Sequence, residues 1–377
     1  MKIALFSDTY YPQINGVTNT LDKLEEYFKR QDIEYKLFVP RYDEENEDAH
    51  TERFYSLKFF LYPECRLALP NLFRISRSLS EFQPDIIHIM TEFGMGITGM
   101  LYGKKHNIPT ISNYTTNFAQ YAEYYNIDVL QQPIWDYMKW FHNQNQITLC
   151  PSHNAQKLLN ENDIYNTYIF SRGIDPNRFN PTYRNEALRR ELGIEDKLTF
   201  LYVGRIAYEK DLHILNESYR TIVEKYDNVA LIITGDGPYL EKCKEMFPED
   251  TIFTGFKKGY ELSEIYATGD VFVCPSSTET FGNVILEAMA SGLAVIGADA
   301  GGVGETIEHK QNGLKFKAKN SEELTKCMEE MIINDHLKNY LKTAGLKFAQ
   351  SRTWDKIIDG LMDNYSYVLN EKKNVIA

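Results

Sequence analysis

The stretch from Val271 to Gly297 admits few folds. Val271-Phe-Val-Cys274 is an unbroken apolar run of strand length, and Gly282-Asn283 reads as the turn into a helix. Gly292 reads as that helix's C-terminal stop and Leu293-Ala-Val-Ile-Gly297 as the next strand. Together they make one βαβ unit.

The same rhythm runs from end to end. In the first part, Lys2–Phe6, Tyr35–Val39, Ile86–Met90, Thr110–Ser112 and Ile147–Cys150 read as strands, separated by helix candidates such as Thr18–Gln31 and Asn71–Phe82. In the second, Leu198–Val203, Val229–Thr234, Ile252–Thr254, Val271–Cys274, Ala294–Ile296 and Leu314–Phe316 repeat it. Two doubly wound α/β domains are expected. Gly, Asp-Pro and Asn-Pro punctuate Phe170–Pro181, which sets the domains at residues 1–172 and 173–354. After Trp354, the apolar positions Ile357, Ile358, Leu361, Met362, Tyr365, Val368 and Leu369 suit a last amphipathic helix, residues 355–377.

Composition narrows the function. With 377 residues, 43% hydrophobic and 25% charged, each half can carry its own core. A net charge of −12, shared evenly between the halves, argues against a nucleic-acid binder, which needs clustered Lys and Arg. The cysteines at 65, 150, 243, 274 and 327 are scattered without metal-ligand spacing, and the eight histidines form no cluster. Lys2-Ile-Ala-Leu-Phe6 is too short and polar-flanked for a signal peptide, and no apolar run approaches spanning length. A cytoplasmic location is expected.

The turn into the helix after Val271–Cys274 can carry chemistry. Backbone N–H groups around Phe281, Gly282 and Asn283 lack helical partners, and the helix dipole favours negative charge there, so a diphosphate fits. Glu287 stands one turn further on, where a ribose attached to that diphosphate can present two hydroxyls to a carboxylate. Glu279 precedes the helix, on the side of whatever hangs from the far phosphate. Two glutamates at this spacing are commonplace alone; their setting on a strand, turn and helix gives them meaning.

The Glu279/Glu287 stretch resembles the E-x7-E motif of retaining glycosyltransferases of the large GT4 family, whose members have the GT-B fold. The resemblance runs along nearly the whole chain. It implies two Rossmann-like domains facing across a cleft, a C-terminal helix crossing back to the N-terminal domain, and transfer of a hexose from a nucleotide-sugar. Gly204-Arg-Ile-Ala-Tyr-Glu-Lys210 is similar to the family's G-R-x4-K pattern, which assigns Arg205 and Lys210 to the leaving diphosphate. Gly16, in Asp8-Thr-Tyr-Tyr-Pro-Gln-Ile-Asn-Gly16, resembles the family's glycine-rich loop near the same diphosphate, although Asn15 stands where relatives often have a second glycine. Gly235-Asp-Gly-Pro238 and Gly301-Gly302 look like further family turns, and each also suits a plain turn without a ligand.

One position departs from the family. Relatives commonly read Tyr-His-Thr where this chain has Tyr114-Thr115-Thr116, and a threonine cannot titrate near neutral pH. Thr115 therefore serves as a positional contact to the donor sugar, or the donor or activity has changed. No metal is expected, since Arg205 and Lys210 do the electrostatic work. The donor expected is UDP-glucose. The opening Phe6–Val17 resembles the branch with diacylglycerol glycosyltransferases and sulfoquinovosyl-type enzymes, and the basic-aromatic stretch from Arg53 to Arg77 suits an anionic membrane surface. The rival classes are a nucleotide-sugar epimerase or hydrolase of GT-B fold and a non-catalytic nucleotide-sugar binder.

Overall fold

Parallel strands cannot be joined by a hairpin, so each connection lays a helix on one face of the sheet. The computed structural model describes all residues except 14, 43–48, 59–65, 117, 119–128, 130, 280, 281 and 377, and leaves the side chains of 58, 66, 67 and 372–376 aside. Phe281 and Cys65 thus lie outside the described residues. The chain divides into two compact units, Met1–Ser171 with Asp355–Ala377, and Arg172–Trp354.

The first unit holds β1 (Lys2–Phe6), β2 (Glu34–Pro40), β3 (Thr51–Phe54), β4 (Ser56–Lys58), β5 (Arg66–Ala68), β6 (Ile86–Ile89), β7 (Thr110–Asn113), β8 (Ile147–Cys150) and β9 (Thr167–Ile169). Seven of these form a parallel sheet in the order β3-β2-β1-β6-β7-β8-β9, and β4 pairs antiparallel with β5. The sequence pattern missed β3, β9 and the β4/β5 pair. β3 and β9 are the sheet's edges, where one polar face remains and no apolar run is needed.

Caps move two helix starts. The helix Gly16–Arg30 begins two residues before the expected Thr18 because the Asn15 carboxamide oxygen accepts from the N–H groups of Val17 and Thr18, both at 3.0 Å. Asn71, expected as helical, instead caps Leu72–Phe82 by accepting from the Arg74 N–H at 3.0 Å.

The last helix, Trp354–Ile376, buries Ile358, Leu361, Tyr365 and Val368 along one stripe. Its Asp359 accepts from the Tyr27 hydroxyl at 2.5 Å and its Asp355 pairs with Arg30, so this helix belongs to the first unit. Beneath it runs a buried polar chain. Burial pushes the His88 imidazole down to about 4, so it is neutral: Nε2–H donates to Asn113 Oδ1 at 2.9 Å and Nδ1 accepts from the Tyr365 hydroxyl at 2.6 Å.

The second unit holds β10 (Leu198–Val203), β11 (Val229–Thr234), β12 (Ile252–Gly255), β13 (Val271–Cys274), β14 (Ala294–Ala298) and β15 (Leu314–Phe316), all parallel, in the order β12-β11-β10-β13-β14-β15. Successive residues point to opposite faces, and each face has its own core: Phe200, Leu231 and Val273 with Tyr219 and Ile222 on one, Leu201, Ile232 and Phe272 with Leu286 and Met289 on the other. That double cover explains why these strands read as unbroken apolar runs. Among the described residues no helix is long and apolar enough to cross a membrane.

Replacing Tyr365 with Phe keeps the ring but leaves His88 Nδ1 buried without a donor. The expected loss is about 1–3 kcal/mol of unfolding free energy, read from the urea midpoint. An unchanged midpoint would show that the hydroxyl contributes nothing there.

Candidate functional site

In the second sheet the strand order reverses between β10 and β13. The helix after β10, Leu212–Val223, packs on one face and the helix after β13, Asn283–Ala290, on the other. The loops leaving these neighbouring strands therefore diverge, and a crevice opens beyond the strands' carboxyl ends. Arg205, Lys210 and Glu279 stand on these two loops, Gly282 ends the second, and Asn283 and Glu287 stand on the helix it opens.

Both loops are fixed from within the chain. The Tyr202 hydroxyl donates to the Arg205 carbonyl at 2.9 Å. Asp211 accepts from the Ser277 N–H at 3.0 Å and from its hydroxyl at 2.6 Å, and the Thr278 hydroxyl donates to the Glu209 carbonyl at 3.1 Å. The turn after β11 closes one flank: a Cβ on Gly235 would lie 1.9 Å from the Gly204 carbonyl oxygen, and one on Gly237 would lie 2.3 Å from that of Ile206. These glycines thus have a packing reason of their own.

The charges alternate across the crevice. Lys210 Nζ donates to Glu279 Oε1 at 2.5 Å, and Arg205 Nη2 donates to Glu209 Oε1 at 2.5 Å. Glu279 is also held by its backbone: its carbonyl accepts from the Gly302 N–H at 2.9 Å, and a Cβ on Gly301, whose φ is +52°, would sit 2.4 Å from that oxygen. Sequence reasoning left Gly301-Gly302 between a ligand loop and a plain turn; in the structure it is the clamp under Glu279.

The helix Asn283–Ala290 starts on Gly282 at φ +75°, a conformation that favours glycine, and has no capping side chain. Asn283 Oδ1 is buried without a hydrogen-bond partner among the described residues. One turn on, Glu287 Oε2 accepts from the Tyr266 hydroxyl at 2.7 Å. Burial raises the Glu287 pKa, while the Tyr266 bond and the nearby Arg178 guanidinium oppose that rise. Sequence reasoning missed Tyr266, Arg178, Asp211 and Ser277. Only Asp211, next to Lys210, carried a local signal.

Gly16 and Thr115 belong to the first unit. Gly16 opens its helix without a positive φ, and an added Cβ would meet nothing within 4 Å, so the fold itself does not require glycine there. Thr115 is half-buried, two residues beyond β7. The first sheet has its own order reversal, between β1 and β6, but Asp8 occupies that crevice: Oδ1 accepts from the Met95 N–H at 2.8 Å and Oδ2 from the Thr91 hydroxyl at 2.9 Å. Burial pushes this carboxyl up to about 6. Among the described residues no three His, Cys, Asp or Glu side chains gather as metal ligands.

Replacing Gly301 with Ala forces its methyl against the Glu279 carbonyl in a conformation alanine avoids. The expected cost is about 1–3 kcal/mol in denaturant unfolding. A change below about 0.3 kcal/mol would contradict the clamp.

Two family models match the chain: Glycosyltransferase Family 4 over residues 14–178 and Glycosyl transferases group 1 over residues 184–348. The chain is 30% identical to the GDP-mannose-dependent alpha-mannosyltransferase of Corynebacterium glutamicum, over 98% of this chain and 89% of that one. It is 31% identical to the alpha-monoglucosyldiacylglycerol synthase of Streptococcus pneumoniae, over 78% of this chain and 70% of that one. The crystal structure of Anabaena Alr3699/HepE in complex with UDP superimposes with a TM-score of 0.76 at 18% identity, covering 97% of this chain and 100% of that one, which speaks for the fold alone. The chain is a glycosyltransferase of family 4, with two parallel-sheet domains of the GT-B type.

Proposed function

We propose that this protein transfers a hexose, with retention of configuration, from a nucleoside diphosphate to a hydroxyl acceptor, and that the acceptor is a membrane lipid or cell-envelope glycan precursor. The observation that carries this reading is the second unit's crevice, where the Lys210–Glu279 pair faces a helix start without a cap and Glu287 stands one turn further along. A diphosphate there meets Arg205, Lys210 and the N–H groups of Gly282 and Asn283. Glu287 takes the ribose hydroxyls and Glu279 the hydroxyls of the sugar; Gly16 and Thr115 are assigned to the same donor from the first unit.

The chemistry is a single exchange at the anomeric carbon. Its bond to the diphosphate oxygen breaks, the acceptor oxygen bonds from the same face, and the acceptor's proton passes to the leaving phosphate. Negative charge grows on the diphosphate as the bond breaks, and Arg205 and Lys210 stabilise it at fixed positions. Both relatives described above are named for alpha products, which an α-linked donor gives by retention. Full turnover after treatment with a chelator is expected; loss of turnover restored by a divalent ion would assign the diphosphate to a metal instead.

UDP-glucose is the donor proposed first, in keeping with the glucosyl-lipid synthase among the relatives, and GDP-mannose is favoured by the Corynebacterium enzyme. A thermal-shift screen of both, with UDP-galactose and UDP-N-acetylglucosamine, identifies the donor by the rise in apparent stability. NMR of the incubated donor separates transfer from the rival chemistries: an epimerised sugar without transfer supports an epimerase, and an unchanged donor that still binds supports a non-catalytic binder. Glu287→Ala should weaken the donor about tenfold or more. Because burial raises the Glu287 pKa, wild-type affinity should fall as pH drops, starting above the ordinary glutamate range, and Glu287→Gln should flatten that fall. Equal donor affinity in wild type and Glu287→Ala would sink the ribose assignment.

The lipid reading draws on the segment around β4, β5 and the helix Leu72–Phe82. Arg74 pairs with Glu52 at 3.2 Å and Arg77 with Glu81 at 2.9 Å, so these arginines spend charge locally. Beside these exposed arginines the segment presents apolar side chains: Tyr55, Leu57, Leu69, Leu72 and, at 82% exposure, Phe73. Vesicle binding should therefore fall when Leu72 and Phe73 are both replaced by Asp, with donor affinity unchanged. Absence of co-sedimentation with anionic vesicles at low salt would remove the lipid acceptor.

A further inference from the structure

At the amino ends of β7 and β8 the first unit holds a cavity of about 740 Å³. Thr110 and Ile147, the first residues of those strands, line it, as do Tyr367 and Val368 of the last helix. Thr115 follows the other end of β7, so the cavity lies at the opposite edge of the sheet from the turn assigned to the donor. Its volume falls within the range of small-ligand pockets, about 300–1,000 Å³. Nothing in the reaction proposed above uses it.

The lining is polar and balanced in charge. Lys104 and Glu371 offset one another, and Asn107, Gln144, Gln146 and Asn166 each bring a carboxamide. Gln144 Oε1 accepts from Lys104 Nζ at 2.8 Å, and Gln146 Oε1 accepts from the Thr110 N–H at 2.6 Å. Each bond occupies the oxygen and fixes which way the carboxamide points. The NH2 groups of both glutamines, and the side chains of Asn107 and Asn166, have no partner among the described residues. Beside them the Tyr168 and Tyr367 rings stand with centroids 6.0 Å apart, tilted by 42°, and Tyr367 is 46% exposed.

These groups select a class of ligand. The helix Gly94–His106 ends at the cavity, with Gly103 and Lys104 in its wall, and the helix Gln131–His142 ends two residues before Gln144. Carbonyls of a helix's last turn carry partial negative charge and lack helical partners, which disfavours a phosphate or carboxylate there. An alkyl chain fares no better, because covering the carboxamides without hydrogen bonds is costly. A sugar ring meets both conditions: its hydroxyls donate to carbonyls and accept from NH2 groups, and its C–H face packs on a tyrosine ring. We propose that this cavity is a second carbohydrate site, which takes a neutral saccharide without a phosphate and is separate from the crevice that takes the nucleotide. It stands independently of the transfer reaction.

The test is saturation-transfer NMR on the full chain with methyl α-glucoside, methyl α-mannoside, methyl β-galactoside and maltose, with UDP in excess. At least one of these sugars should bind saturably to wild type, and Gln144→Leu and Tyr367→Ala should each weaken that binding about fivefold or more. Neither side chain is fully buried, so the urea midpoint of each variant should stay near that of wild type. Glucose 6-phosphate should bind more weakly than methyl α-glucoside, because its phosphate meets the ends of two helices. The proposal is overturned if none of the four sugars binds saturably, or if binding is equal in wild type and either variant, which would place the sugar elsewhere. Tighter binding of glucose 6-phosphate overturns it as well, since the site would then be one for anions.

Discussion

The reversal of strand order between β10 and β13 is the constraint from which the second unit's chemistry follows. Both strands are buried on both faces, so each must hand the chain to a helix, and neighbouring strands that feed opposite faces leave a gap no helix covers. Such a gap would expose unmet backbone unless its walls were tied together. Asp211 does this by taking both donors of Ser277, and Tyr202 does it by capping the Arg205 carbonyl. The glycines at 235, 237 and 301 let backbone approach backbone at distances a side chain forbids.

Within that frame Lys210 and Glu279 form an ion pair across the two loops. Lys210 is only 12% exposed on its side chain, and an unpaired ammonium there would carry a desolvation penalty. Glu279 satisfies it. In the function proposed above, a diphosphate in the crevice would share Lys210 with Glu279, since its oxygens are acceptors of the same kind, and Glu279 would keep acceptor capacity for sugar hydroxyls.

The sequence made the βαβ rhythm legible because doubly covered strands must be apolar along their whole length, as Leu198–Val203 and Val229–Thr234 are. Edge strands escaped for the same reason in reverse: Thr51–Phe54 and Thr167–Ile169 need only a few apolar contacts and read as loop. Arg205, Lys210, Glu279 and Glu287 were legible as candidates because local motifs carry them. Tyr266 was not, because it reaches Glu287 from 21 positions away on another helix.

The two sheets put the same topology to different uses. In the first, the N-terminus of the helix Gly94–His106 already holds a carboxylate, that of Asp8, which accepts from the Met95 N–H. A helix start filled by the protein's own anion has little left to offer a phosphate. In the second, Gly282 brings no side chain to the helix it opens, so the first N–H groups stay available. In the function proposed above, that difference between Asp8 in one crevice and Gly282 in the other favours the second sheet for the diphosphate.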